Sequence, residues 1–297
     1  MSIDATTRLA TAIEPPATLR RRLVAARRLL CDPRGRRGAI SWLALLVLWQ
    51  VGASSSAWLG EPLPWIGRLP APSDVLAAGL HLAADAGYWR SWLASGGRVL
   101  LGFAAAVLCA VPFSLLLAGS AGFRGVAYPV FELLRPVPPL AWVPAAIIFW
   151  PTQELSIAFV IFLGAFYPIV LNVLGGARSI DGRLLETARS LGASRWSMFR
   201  RLLLPAVLPS MAVGMEVGIG ITWEVVVAAE MISGGGAGPE AASGGGLGFL
   251  IWSSYVGGSY PQIIVGMISI GVAGYGSSAL LRALGARLSP WLRERAS

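Results

Sequence analysis

ETARSLGASRWSMFRRLLLPA, residues 186–206, decides how the whole chain is read, because it is polar where its neighbours are apolar. Four arginines, a glutamate and a mid-segment glycine stand between two runs greasy enough for a bilayer. Leu185, Ala188 and Leu191 recur at helical spacing, as do Trp196, Phe199 and Leu203, which predicts two short amphipathic helices. Gly192 falls between them, where a bend needs a residue without a side chain. Pro205 then opens the next apolar run in the first turn of a helix, a position proline tolerates. The pattern alone fits two things equally: a handle held by another protein, or interfacial helices lying on lipid.

The rest of the chain sets the context. Of its 297 residues only 13% are charged, against roughly a quarter in a soluble domain, and 55% are hydrophobic. That deficit and several long apolar runs place it in the membrane class, embedded in a lipid bilayer. The formal charge of +9 is carried by arginines beside apolar spans, which points to orientation in a membrane and not to nucleic acid. His81 is the single histidine, so there is no histidine metal cluster and a Ser/His/Asp triad would rest on that one residue. Cys31 and Cys109 lie in a basic tail and an apolar run, which argues against a disulfide between them.

A helix needs about 20 apolar residues to cross the hydrocarbon core. Six segments approach this: 39–58, 98–119, 126–150, 155–175, 205–231 and 262–283. The third carries Pro129, Pro136, Pro138, Pro139 and Pro144 and is expected to be kinked or broken, and buried in protein where its freed backbone groups can be satisfied. Nine arginines precede residue 39, and six spans put Arg124, the run from Arg178 to Arg201, and Arg282 to Arg295 on the same side as that tail. The other side receives Arg68 and Arg90, with Arg98 at the membrane edge, so both termini are expected in the cytoplasm. The stretch TLRRRLVAARRLL (18–30) fits either a basic helix on the membrane surface or a disordered tail. ASSSA (53–57) only faintly resembles a signal cleavage site, and the basic region ahead of it is too long for one.

Glu186, Thr187, Ala188, then Gly192, then Leu202, Leu204 and Pro205 resemble the EAA loop of ABC importer permeases: Glu-Ala-Ala, three residues, Gly, nine residues, Ile, any residue, Leu-Pro. Thr187 and Leu202 depart mildly from that pattern, and the spacing is complete. SGGRVLLGF (95–103), LLRPVPPLAWVPAAIIFW (133–150), GITWEVVVAAEM (220–231) and GLGFLIWSSYVGGSY (246–260) are similar to the nitrate/sulfonate/taurine class, and the likeness covers about residues 70–285. The glycine-rich SGGGAGPEAASGGG (233–246) is longer than that class leads one to expect.

The resemblance implies an all-α, polytopic protein of the bacterial inner membrane with about six transmembrane helices and the type I ABC importer permease fold. It implies a basic cytoplasmic tail (1–38), a permease domain (39–285) with periplasmic loops 60–97 and 232–261 and a cytoplasmic coupling loop 176–204, and a C-terminal tail (286–297). It also implies partners: a cytoplasmic ATP-binding cassette ATPase, a periplasmic substrate-binding protein, and a second permease subunit, as a homodimer. Glu186, Ala188 and Gly192 would form the docking contact with the ATPase, with Trp196 and Phe199 packing the loop onto the protein's own spans. The chain has no GxxxxGK[ST], so ATP and Mg would sit in the partner, no cofactor on this chain, and the chain itself is expected to be no enzyme.

Ionisable groups inside spans are costly and mark function by default. Glu216, Gly220, Trp223, Val227 and Glu230 fall on one helical face. That face, with Glu224, is read either as lining the translocation pathway or as a structural stripe whose acids pair with neighbouring helices, the stripe being favoured for Glu230. Glu132 and Arg135 are one turn apart and are expected to form a local pair; Arg135 could otherwise face an anion in transit. An ion-coupled secondary transporter is the alternative, but it would usually show two related halves, and the chain has no such repeat.

Overall fold

The computed structural model describes residues 33–55, 60, 67, 69–233 and 245–288, and every element among them is helical. The basic stretch 18–30, most of the glycine-rich segment and the C-terminal tail from 289 onward lie outside the described residues. The chain divides after Asp74 into two compact units. The first unit contains helix α1, Pro33–Ala53. Gln50 near its end holds Ser73 twice, accepting from the backbone N–H at 3.1 Å and reaching Oγ at 3.3 Å. The division falls within the first turn of α2, Pro72–Ala84.

The second unit is built around α3 (Ala86–Gly119), α6 (Gln153–Arg178), α9 (Leu204–Ser233) and α11 (Tyr260–Leu288). Helix α6 is central, packing mainly against α9 and α3. Its sequence is apolar on every side, as a helix buried all round must be. It starts where Thr152 accepts the Leu155 N–H, with Glu154 in its first turn and Arg178 in its last, both suited to the helix dipole. Between α3 and α6 lies the bent segment expected from the prolines. Helix α4 (Ala121–Leu134) and the run Pro139–Phe149, which comprises a 3₁₀ turn (Pro139–Trp142) and α5 (Val143–Phe149), meet at 88°. Phe131 of α4 is buried against Phe113, Phe166 and Tyr167, their centroids 5.6 to 6.4 Å away, so the bend is anchored on α3 and α6 by aromatic packing.

Six crossings were expected. By length and composition four helices can cross, or five if the bent pair counts as one span. The candidate at 39–58 ends as a helix at Ala53, and its apolar part, Arg37–Ala53, is shorter than the other four. The stretch 60–97 contains α2 and the first twelve residues of α3, and 232–261 contains α10, Leu247–Val256. Helix α3 is about 51 Å long at 1.5 Å per residue, against about 30 Å of hydrocarbon, so the polar turns before Val99 extend beyond it.

The largest revision concerns Pro205. It does not begin a helix; the helical run is continuous from Arg195 to Ile232. The four residues Arg195–Met198 (α8) pass through a π turn, Phe199–Leu203, straight into α9. A proline inside a helix lacks a donor and its ring collides with the carbonyl four residues back, here Arg201. The wider turn relieves this: Leu204 N–H bonds to Phe199, five residues back, and the helix continues past Pro205.

Small residues set the closest helix contacts. A Cβ on Gly214 would lie 2.8 Å from Asn172 Cβ and 3.1 Å from Ile169 Cα, whereas Gly175 faces open space. Gly214→Ala should therefore destabilise the detergent-solubilised protein by about 1–3 kcal/mol. Gly175→Ala should leave its thermal midpoint unchanged or slightly raised, because alanine favours a helix over glycine.

Candidate functional site

The handle is helix α7 (Gly182–Ser190), a turn, and α8, and neither helix buries a single residue. Asp181 caps α7 by accepting the Arg183 N–H at 2.9 Å. At the other end the Gly192 N–H reaches Arg189 O at 2.9 Å and the Ala193 N–H reaches Ala188 O at 3.0 Å, with Gly192 at φ +76°. This paired closure requires a left-handed residue. A Cβ there would touch nothing within 4 Å, so the demand on Gly192 is conformational. Ser194 then caps α8 through the Ser197 N–H.

Glu186 and Thr187 are exposed on α7, and Ala188 is half-buried. The Thr187 hydroxyl bonds to Arg183 O of its own helix at 2.8 Å, so replacing the family alanine by threonine adds no unsatisfied donor. Leu202, Leu204 and Pro205 are half-buried along the root of the handle. Trp196 was expected to pack inward with Phe199. Instead it is 67% exposed and stacks on Phe199 with centroids 5.6 Å apart. Leu191, beside the turn, is 82% exposed. The handle thus presents an acid, a leucine and a tryptophan outward on a backbone fixed by caps at both helix starts.

The face with Glu216, Gly220, Trp223 and Glu230 is turned into the subunit. Arg282 of α11 pairs with Glu216 and lies over the Tyr275 ring. Trp223 is buried against Gly274 and donates its indole N–H to Ser277 Oγ at 3.1 Å. A Cβ on Gly220 would sit 4.0 Å from Ser278 Oγ. Glu216, Gly220 and Trp223 therefore form the seam between α9 and α11.

Glu230, 2% exposed, belongs to a denser cluster. Ser95 Oγ lies 2.8 and 2.9 Å from its two oxygens, Arg98 Nη1 donates at 2.8 Å, and the Gly248 N–H donates at 2.9 Å. Ser95 Oγ in turn accepts the Leu247 N–H at 2.8 Å. Arg98 also grips Glu154, 63% exposed at the start of α6, through Nε and Nη2 in a bidentate fork. Four helices, α3, α6, α9 and α10, meet at these groups. Sequence reasoning noted Glu230 but not its partners. The signal was present, since a buried acid needs a cation and Arg98 stood at a membrane edge.

Glu224, Glu132 and Arg135 are exposed, and no ion pair joins any of them among the described residues. The expected Glu132–Arg135 pair is therefore absent. Arg135 sits at the end of α4, its N–H bonded to Phe131 O, where the chain turns through the bend.

The described chain is thus a bundle of helices long and apolar enough to cross a membrane, with a polar handle presented outward between two of them. Residues 100–294 match the model of binding-protein-dependent transport system inner membrane components, and the chain belongs to that family as a permease subunit of an ABC importer. It is similar to the nitrate import permease protein NrtB of Synechocystis sp., 33% identical over 252 residues, 82% of this chain and 85% of that protein. It is also similar to the taurine transport system permease protein TauC of Escherichia coli, 34% identical over 231 residues, 76% of this chain and 81% of that protein. A solved bacterial ABC transporter involved in the import of the acidic polysaccharide alginate shares the fold, with a TM-score of 0.54 at 18% identity, covering 88% of this chain and 99% of that one. The protein is thus a multi-pass component of the bacterial inner membrane, and it is a transport subunit and not an enzyme.

Gly246 tests the cluster sterically. Its backbone is at φ −84°, open to any residue, but a Cβ would fall 2.1 Å from Glu230 Oε1. Gly246→Ala should lower stability by about 1–3 kcal/mol. Gly271→Ala, where a Cβ meets nothing within 4 Å, should not shift the thermal midpoint of the purified protein.

Proposed function

We propose that the chain forms the pathway for a small anionic solute (nitrate, a sulfonate, taurine or a bicarbonate-like ion) delivered by a periplasmic binding protein. A separate ATPase, holding ATP and Mg, drives transport by gripping the handle, and two copies of the chain form the pore. The curated relatives named for nitrate and taurine support the solute class. Both termini face the cytoplasm in this reading, on the side of Arg183, Arg189, Arg195, Arg200 and Arg201.

The observation that carries the proposal is the handle itself. No residue of its two helices is fully buried in this chain, its turn is fixed by Gly192, and its second helix runs without interruption into α9. Glu186, Thr187 and Ala188 meet the ATPase, Gly192 shapes the turn, and Leu202, Leu204 and Pro205 join the handle to the span. Among the pathway candidates, Glu224 and Arg135 keep exposed charges without an ion pair among the described residues, and they face the solute or the second subunit. Glu216, Gly220, Trp223 and Glu230 support that pathway from behind.

Co-expression of the permease with a candidate ABC ATPase partner provides the test. The wild-type complex should purify intact. With Glu186→Arg and Gly192→Asp combined, ATPase recovery should fall below a tenth, while the permease remains membrane-inserted. Equal recovery from both would refute the docking role and return an ion-coupled carrier to consideration.

A further inference from the structure

We propose that Glu230 and Arg98 are positioning residues that carry the motion of the handle to α10 at the far end of the same helix. The proposal rests on the handle being the ATPase contact. Three observations support it.

The first is continuity. The second handle helix, α8, and the clasp lie on one helical run, Arg195–Ile232; α7 joins it through the turn that the Gly192 and Ala193 N–H bonds close, and Glu230 is thirty-five residues from Arg195, about 50 Å along the axis. A displacement applied at α8 reaches Glu230 without crossing a loop.

The second is how α10 is held. It is ten residues long, about 15 Å, too short to cross the membrane. Gly246, immediately ahead of it, has no side chain to cap it. Its opening N–H groups are taken instead by Ser95 of α3, from Leu247, and by Glu230 of α9, from Gly248. Space is equally restrictive: a Cβ on Gly248 would lie 2.4 Å from Val227 O, and one on Gly246 2.1 Å from the carboxylate. The start of α10 is therefore tied to α9 by directional bonds and direct backbone contact, and it must follow Glu230.

The third is the chemistry of the tie. A buried ion pair contributes little stability over a well-packed apolar substitute, but it fixes geometry. Arg98 divides its guanidinium between buried Glu230 and exposed Glu154, so the same cation links the moving helix α9 to the start of α6.

The test uses the full complex with its ATPase in lipid nanodiscs, with Cys31 and Cys109 replaced by serine. A nitroxide is placed on α10 at Ser253→Cys or on the handle at Leu184→Cys, both exposed positions. Spectra are compared without nucleotide and with ATP trapped by vanadate. In the otherwise wild-type chain both labels should respond. In Glu230→Gln the handle label should respond as before, and the α10 response should fall at least fivefold. Ser95→Ala, which removes the shared hydroxyl and no charge, should reduce the α10 response about threefold and serves if Glu230→Gln fails to fold. Glu154→Gln should leave the α10 response within twofold of wild type. An unchanged α10 response in folded Glu230→Gln or Ser95→Ala would overturn the proposal while leaving the handle reading intact, as would an α10 label that never responds. A silent handle label in the wild-type complex would overturn both. A purely structural clasp would lower the thermal midpoint of Glu230→Gln and leave the nucleotide response of the folded fraction unaltered, which also overturns the proposal.

Discussion

A carboxylate buried at the end of a membrane helix has few ways to exist, and Glu230 uses most of them. At 2% exposure the carboxylate is cut off from bulk water and counter-ions, so the charge must be met by protein groups arranged around it. Arg98, Ser95 and the Gly248 N–H meet it together, and each comes from a different helix than α9. The arrangement dictates much of its surroundings. Gly246 and Gly248 have no room for a side chain, and α10 begins where its first donors can be taken. The N-terminus of α6 lies where Glu154 can share the same guanidinium. Replacing the cluster by apolar residues could preserve stability, but the four helices would lose the groups that fix their relative positions.

The same scarcity of partners explains how the chain handles its irregular turns. A helix in lipid satisfies its own backbone, so each interruption needs a local remedy. At Pro205 the remedy is a π turn that moves the bond from the fourth residue back to the fifth and keeps the helix continuous. At Pro136 to Pro139 the chain instead turns through 88°, and aromatic packing on α4 and α6 covers the corner. At Gly192, in the polar loop, the remedy is a left-handed residue and two crossed hydrogen bonds. The three devices differ in mechanical consequence. The first keeps a helix continuous, the second breaks a span, and the third ends a helix and reverses the chain into the next.

Much of this was legible in the sequence because it depends on local chemistry. Apolar length located the long helices, clustered prolines located the bend, and Gly192 between two amphipathic runs located the turn. The misreadings share a cause. Pro205 looked like a helix start because one residue cannot reveal that a neighbouring turn will widen to accommodate it. Trp196 looked inward-facing because helical period marks a common face without naming what covers it; here no part of the described chain does so fully. Glu132 and Arg135 looked like a pair because spacing permits one, yet both side chains are exposed and nothing among the described residues holds them together. The clasp was the least legible feature. Ser95, Arg98, Glu154, Glu230 and Gly248 span more than 150 residues, and only the packing of four helices brings them together.

The face shared by Glu216, Trp223 and Glu230 shows why a polar stripe in a membrane helix is an ambiguous sign. Such a face must be shielded from lipid, and both a solute pathway and a neighbouring helix provide that shield. Partner chemistry separates the two. Trp223 meets Ser277, Glu216 meets Arg282 and Glu230 meets Arg98, so these charges and donors are already satisfied within one chain. Glu224 lies between Trp223 and Val225, both buried, yet its own side chain emerges on the exposed side of α9, in line with Val213 and Val217. An exposed acid within an apolar stripe of a membrane helix is incompatible with lipid contact. The adjacent satisfied stripe ties α9 to α11 through Glu216 and Trp223, and to α3 and α10 through Glu230. One helix thus divides its polar residues between those already paired within the chain and Glu224, which is left exposed.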